Sequence, residues 1–253
     1  MGTSSAHGTP TGGNWSDAKA DLRDFATSRS TDAAASALAN AVQGLQQAPA
    51  GRGRGGMGGG GGTRNVITGR GRSALGGGAA FLVDAARTSV QEALERFGIL
   101  DIEGRDAPEV VDALSAAIVG GRTDLDEQIA VNALRDALLE ALGCDVTDFD
   151  EALRGYLDQV GIEGFIISFL TKCVVERIWM FLGDGARERI GSEADMQALF
   201  DGFAMLCEAR VASAVADATS DAAFGSVDWF GPEGVQIIDA VCDELIASLR
   251  EAA

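Results

Sequence analysis

The side chains that could do chemistry in this chain are few, and most are poorly placed for it. Covalent and acid–base catalysis need a nucleophile with a base beside it, and the only histidine, His7, sits in an N-terminal stretch of Gly, Ser, Thr and Pro. A Ser-His-Asp or Cys-His arrangement is therefore not expected, and no catalytic residue is assigned. A zinc-type site needs His and Cys at short spacing. Cys144, Cys173, Cys207 and Cys242 stand far apart with no CxxC pair, and no Glu-x-x-His is present, so neither a metal nor another cofactor is expected. The four thiols read as reduced and individually buried, and the carboxylates, recurring at helical spacing, read as solvated faces. Gly51-x-Gly53-x-x-Gly56 matches a dinucleotide fingerprint by letter only, because no strand precedes it. A Walker loop is absent: Lys19 and Lys172 are the only lysines and neither follows the required glycines.

Two candidates remain. The first is the chain start, Met1-Gly2-Thr3-Ser4. A small second residue lets Met1 be removed, which leaves Gly2 as an unhindered α-amine. Myristoylation asks for Ser or Thr at the sixth position, where Ala6 stands, so no lipid anchor is expected. On composition alone a bare disordered tail is the favoured reading of this end. The second candidate is the Arg/Gly run ending at Arg72, with Arg52, Arg54, Arg64, Arg70 and Arg72 and no acidic residue. One reading is an RGG-type nucleic-acid segment. The run lacks interleaved aromatics, however, and the body behind it is acidic, so a tether that touches the protein's own acidic surface is preferred and nucleic acid is disfavoured as a partner.

Charge and patterning frame these candidates. The 253 residues carry a net charge of −18, divided unevenly. From Gly76 onward there are 12 Lys and Arg against 34 Asp and Glu, whereas residues 1–75 hold 8 against 4. An acidic body repels phosphate backbones and anionic lipid. No basic n-region with an apolar h-region opens the chain, so a cytoplasmic, soluble protein is expected. The most apolar stretch, Phe165 to Leu182, is interrupted by Lys172, Glu176 and Arg177, which suits a central buried helix better than a membrane span.

The spacing of apolar residues predicts an all-α fold. Residues 1–14 form a flexible tail. Residues 15–48 form a helical hairpin, with one segment from Trp15 to Ala26 and a second from Thr31 to Gln47. Residues 49–75 are a Gly/Arg-rich linker, and residues 76–253 are a compact multi-helix bundle around the central apolar helix. In that bundle, helices are expected over Gly78–Phe97, stopping at Gly98, and from Pro108 to Val119, stopping at Gly120. Others follow the capping signals Thr123-x-x-Asp126, Thr147-x-x-Asp150 and Ser192-x-x-Asp195, with Gly143 as a further stop. A long helix is expected from about Ile162 to Leu182, ending at Gly183, and a last one from Pro232.

The order of these segments carries a resemblance. Met1-Gly2-Thr3-Ser4 and a Gly/Pro/Ser-rich tail precede Trp15-x-x-Ala18-Lys19 and the Arg/Gly run. Gly104-x-x-x-Pro108-Glu109-Val110 follows, and then Gly120-Gly121-x-x-x-Leu125-Asp126-Glu127-x-Ile129-Ala130-x-x-Ala133-Leu134. This pattern resembles the QatB family, the small companion proteins of the four-component Qat anti-phage defence system. The resemblance implies a non-catalytic defence component beside an ATPase, a QueC-like enzyme and a TatD-like nuclease. It further implies that the QueC-like partner joins a 7-deazaguanine-type nucleobase to the chain's N-terminus through an amide. Gly2 would then be the acceptor, Thr3 and Ser4 recognition residues, and Met1 lost. Two other readings stand beside it: a nucleic-acid module acting through Arg52 to Arg72, and an unmodified helical scaffold for the ATPase.

Overall fold

The computed structural model describes residues 13–28, 30–47, 67–100, 102, 104–120, 125–187, 193–219, 227–229 and 231–251. Every regular element among them is helical: α1 (Gly13–Ser28), α2 (Thr31–Gln47), α3 (Gly69–Arg87), α4 (Val90–Arg96), α5 (Ala107–Val119), α6 (Leu125–Leu142), α7 (Phe149–Gln159), α8 (Gly161–Arg187), α9 (Glu193–Ala218) and α10 (Pro232–Glu251), with a 3₁₀ turn over Val146–Asp148. The expected all-α class holds for the described residues.

Several boundaries fall where the local chemistry demands. Asp106 caps α5 by accepting a 2.8 Å hydrogen bond from the Glu109 N–H, with Pro108 in the first turn. Gly120 and Gly143 close α5 and α6 at φ of 91° and 76°, the left-handed turn that leaves helix-end carbonyls bonded. α8 is a central helix as expected. Phe165, Phe169, Leu170, Val174 and Ile178 along it are all buried, and it packs against α3, α6 and α9. It nevertheless continues past Gly183 to Arg187.

Three expectations need correction. The helix expected over Gly78–Phe97 is two helices. Ser89 breaks the run by accepting from the Glu92 N–H at 3.1 Å and so capping α4. Asp150 does not form the expected box with Thr147. It reaches from α7 to accept the Val90 N–H at 2.8 Å, while Asp145 caps the turn ahead of α7 through the Thr147 N–H at 3.0 Å. Thr123 and Ser192 lie outside the described residues.

The largest correction concerns glycine. α3 begins at Gly69, inside the stretch read as linker, with Thr68 accepting from the Gly71 N–H at 3.3 Å. Glycine inside a helix costs about 1 kcal/mol relative to alanine, so Gly76, Gly77 and Gly78 in mid-helix need a reason. Each of them faces a different neighbour. A Cβ built on Gly76 would lie 3.1 Å from Ile238 of α10, and one on Gly77 would lie 2.5 Å from Ile118 of α5. On Gly78 it would lie 2.7 Å from both Leu134 of α6 and Phe165 of α8. α3 is thus a second central helix, and its missing side chains let four helices close on it.

The hairpin is part of the same packing. α1 lies along α2, with Asn40 Nδ2 donating to Asp21 at 2.8 Å, and Phe25 of α1 approaches Gly202 of α9. α2 packs on α10 and α9. One continuous apolar core runs from Trp15 through Leu38, Leu75, Phe165 and Phe203 to Leu245.

Candidate functional site

The proposed acceptor and its recognition residues, Gly2, Met1, Thr3 and Ser4, lie outside the described residues. The described residues begin at Gly13, at the start of α1. The first turn of this helix is fastened to the end of α2 at two points. Asn14 Nδ2 donates to Gln43 Oε1 at 3.2 Å. Trp15 is 2% exposed and fills the space above Gly44, where a Cβ would lie 2.8 Å from the indole Cε3.

Of the five arginines in the Arg/Gly run, Arg52, Arg54 and Arg64 lie outside the described residues. Arg70 and Arg72 project from the first turn of α3 onto the body's own carboxylates. Arg70 meets Glu127 of α6 at 3.1 Å. Arg72 bridges two acids of α10, Asp239 at 2.5 Å and Asp243 at 2.8 Å. Burial works against the Arg72 charge, but the hydrogen bonds to Asp243 and Asp239 outweigh it and hold its pKa above the ordinary value. Contact with the acidic surface was expected, though from a tether, and here it comes from a helix. A phosphate could reach Arg72 only by displacing two carboxylates. Both acids are exposed, so the pair belongs to the weak, salt-sensitive class. Arg72→Met is expected to cost about 1 kcal/mol or less in urea unfolding at low salt, with the difference from wild type shrinking at high salt.

The Arg70–Glu127 pair opens a polar seam between α6 and α8 that sequence reasoning missed. Arg177 is 6% exposed and meets Asp126 at 2.5 Å. Asn132 donates to Glu176 at 2.7 Å. Burial raises the Glu176 pKa, opposed by that hydrogen bond. Farther along, Glu140 accepts from Ser168 at 2.5 Å and from Lys172 at 2.6 Å, while Lys172 also donates to Ser168 at 2.9 Å. A serine beside a lysine could form a nucleophile and base only if the amine were neutral. Here the ammonium is engaged by Glu140, so the group ties α8 to α6. Carboxylates are expected on solvated faces, but Glu127 stands four and seven residues before Val131 and Leu134. That places it on the apolar side of α6, and this spacing was the available signal.

The cysteines also divide differently from expectation. Cys173, Cys207 and Cys242 are buried, but Cys144 is exposed. Burial raises the pKa of all three buried thiols, that of Cys242 to about 12. They are therefore protonated at neutral pH and poor nucleophiles. Among the described residues, no three His, Cys, Asp or Glu side chains gather as a metal site, and no helix is long and apolar enough to cross a membrane. Two open clefts of about 400 and 430 Å3 flank the C-terminal end of α3. One lies against Leu157, Val160 and Ile162, the other against Phe97, Val227 and Trp229.

Comparison with known proteins supplies what these groups do not. No curated protein and no solved structure matches the chain. A family model described as "Qat anti-phage system associated protein QatB" matches residues 59–244. That span covers α3 through α9 and most of α10, and α1 and α2 precede it. The chain therefore belongs to the QatB family and is a component of the Qat anti-phage defence system.

Proposed function

We propose that this chain is a non-catalytic subunit of the defence system whose N-terminal glycine is the substrate of a partner enzyme. Met1 is removed, and the α-amine of Gly2 attacks the activated carboxyl of a 7-deazaguanine-type nucleobase held by a QueC-like enzyme. A C–N bond forms, the carboxyl's activating group leaves with its electron pair, and the amine loses a proton, giving an amide. An α-amine titrates at about 7.7–8.0, so a useful fraction is neutral and nucleophilic near neutral pH. The helical body then holds the modified end beside the ATPase and the TatD-like nuclease of the same system.

Family membership over residues 59–244 is the observation that carries this reading. The sequence supports it through the Met1-Gly2-Thr3-Ser4 start. The pairing of Arg70 and Arg72 with carboxylates favours it over a nucleic-acid role. Phage challenge of cells carrying the whole system is the test. Gly2→Glu blocks Met1 removal and hides the acceptor amine, so protection is expected to be lost while the purified variant keeps wild-type helicity and unfolding temperature. Full protection by Gly2→Glu would overturn the acceptor role and leave the plain scaffold reading.

A further inference from the structure

We infer that Trp15, seated on Gly44, is the positioning device of the acceptor arm: the contact fixes where the N-terminal arm leaves the body, and hence the space within which Gly2 is presented. The inference rests on the conjugation reading above and adds to it a residue pair that neither the family match nor the N-terminal sequence assigns.

The first turn of a helix has four N–H groups without intrahelical partners and is the part that frays first. In α1 this turn is instead fastened to α2. Asn14 is tied to Gln43 at 3.2 Å, and the largest side chain of the hairpin, Trp15, is 2% exposed in its third position. Gly44 is the counterpart. A glycine inside α2 weakens the helix by about 1 kcal/mol, and the space it leaves is filled by the indole. A Cβ at that position would sit 2.8 Å from Trp15 Cε3. α2 in turn packs on α10 and α9, so the fastening is referred to the body and not merely to a neighbouring helix.

The consequence for the arm is geometric. Gly2 to Gly12 are eleven residues, which span at most about 36–40 Å when fully extended. A fixed Gly13 confines Gly2 to that radius about one spot on the body. If α1 lets go as far as Ser28, sixteen further residues join the arm, and the space open to Gly2 grows steeply. For a partner docked on the body, the local concentration of the acceptor falls accordingly.

Intact-mass time courses of conjugation test this, using the full chain with the QueC-like partner, its nucleobase acid and a nucleoside triphosphate to activate the carboxyl. The set is wild type, Trp15→Phe, Trp15→Ala and Gly44→Ala, each with its unfolding temperature, and a free peptide of residues 2–12 as competing acceptor. Wild type and Trp15→Phe are expected to react alike. Trp15→Ala and Gly44→Ala should react up to about fourfold more slowly, because effective concentration falls roughly as the −3/2 power of tether length and release of α1 adds sixteen residues to an arm of eleven, and the untethered peptide should react more slowly still. Gly44→Ala is the discriminating variant, because it strengthens α2 as a helix while displacing the indole, so slow reaction there is not a symptom of a weakened α2. Wild-type rates for Gly44→Ala, or for the free peptide, would overturn the positioning role while leaving conjugation intact. A wild-type chain that is never conjugated would remove the underlying reading and this inference with it.

Discussion

Gly78→Ala is expected to destabilise the protein by about 1–3 kcal/mol, the range for overpacking a filled core, although alanine is the better helix former by about 1 kcal/mol. The added Cβ has nowhere to go. It would lie 2.7 Å from Leu134 and from the ring of Phe165, both fully buried and held by α6 and α8. Relief would require α3 to move away from two helices at once. The same helix carries its own control at Gly69, where a Cβ meets nothing within 4 Å. Gly69→Ala should therefore show the propensity gain alone and stabilise the fold by up to about 1 kcal/mol. Urea unfolding of the two variants should thus give opposite signs within one helix. If both stabilise, the glycines of α3 are not the contact surface described above.

That contrast also shows what the amino-acid sequence could and could not reveal. The hairpin helices, the Pro108 and Pro232 starts, the Gly120 and Gly143 stops and the buried character of Phe165 to Leu182 all follow from local signals, and all are present. The start of α3 was illegible because glycine reads locally as linker. Its value at Gly76 to Gly78 lies in how closely Ile238, Ile118, Leu134 and Phe165 approach, which is a tertiary property. Ser89-x-x-Glu92 was a legible capping signal overlooked inside an apolar run. Spacing points Asp150 at the nearby helix start after Thr147, whereas it serves the one sixty residues away.

The candidate site divides in the same way. That Arg70 and Arg72 would meet acidic groups followed from charge alone, but which ones did not, since the partners of Arg72 lie 167 and 171 residues farther along. Glu127 and Arg177 are buried because the faces of α6 and α8 that hold them turn inward. Periodicity at Glu127 announces this, although charge counting conceals it. The acceptor itself is a different kind of inference. Gly2 lies outside the described residues, and its proposed role rests on the family to which residues 59–244 belong together with the residues that begin the chain.

The second large effect is all-or-none and concerns that residue. Conjugation at Gly2 requires two changes at the N-terminus, loss of Met1 and gain of an amide-linked nucleobase. The product must therefore differ from the Met-free chain by the nucleobase acid less one water. Gly2→Glu should retain Met1 and gain nothing. The arginines of the Arg/Gly run should be dispensable for the mass change, so replacing Arg52, Arg54 and Arg64 with Ser separates conjugation from any nucleic-acid role.

The most direct measurement is the intact mass of the full chain purified after co-expression with the QueC-like partner, with fragmentation to locate the added mass. The account predicts a Met-free chain carrying the nucleobase adduct on the α-amine of Gly2, absent when the partner is omitted. A Met-free chain of unchanged mass in the presence of active partner and nucleobase acid would contradict it.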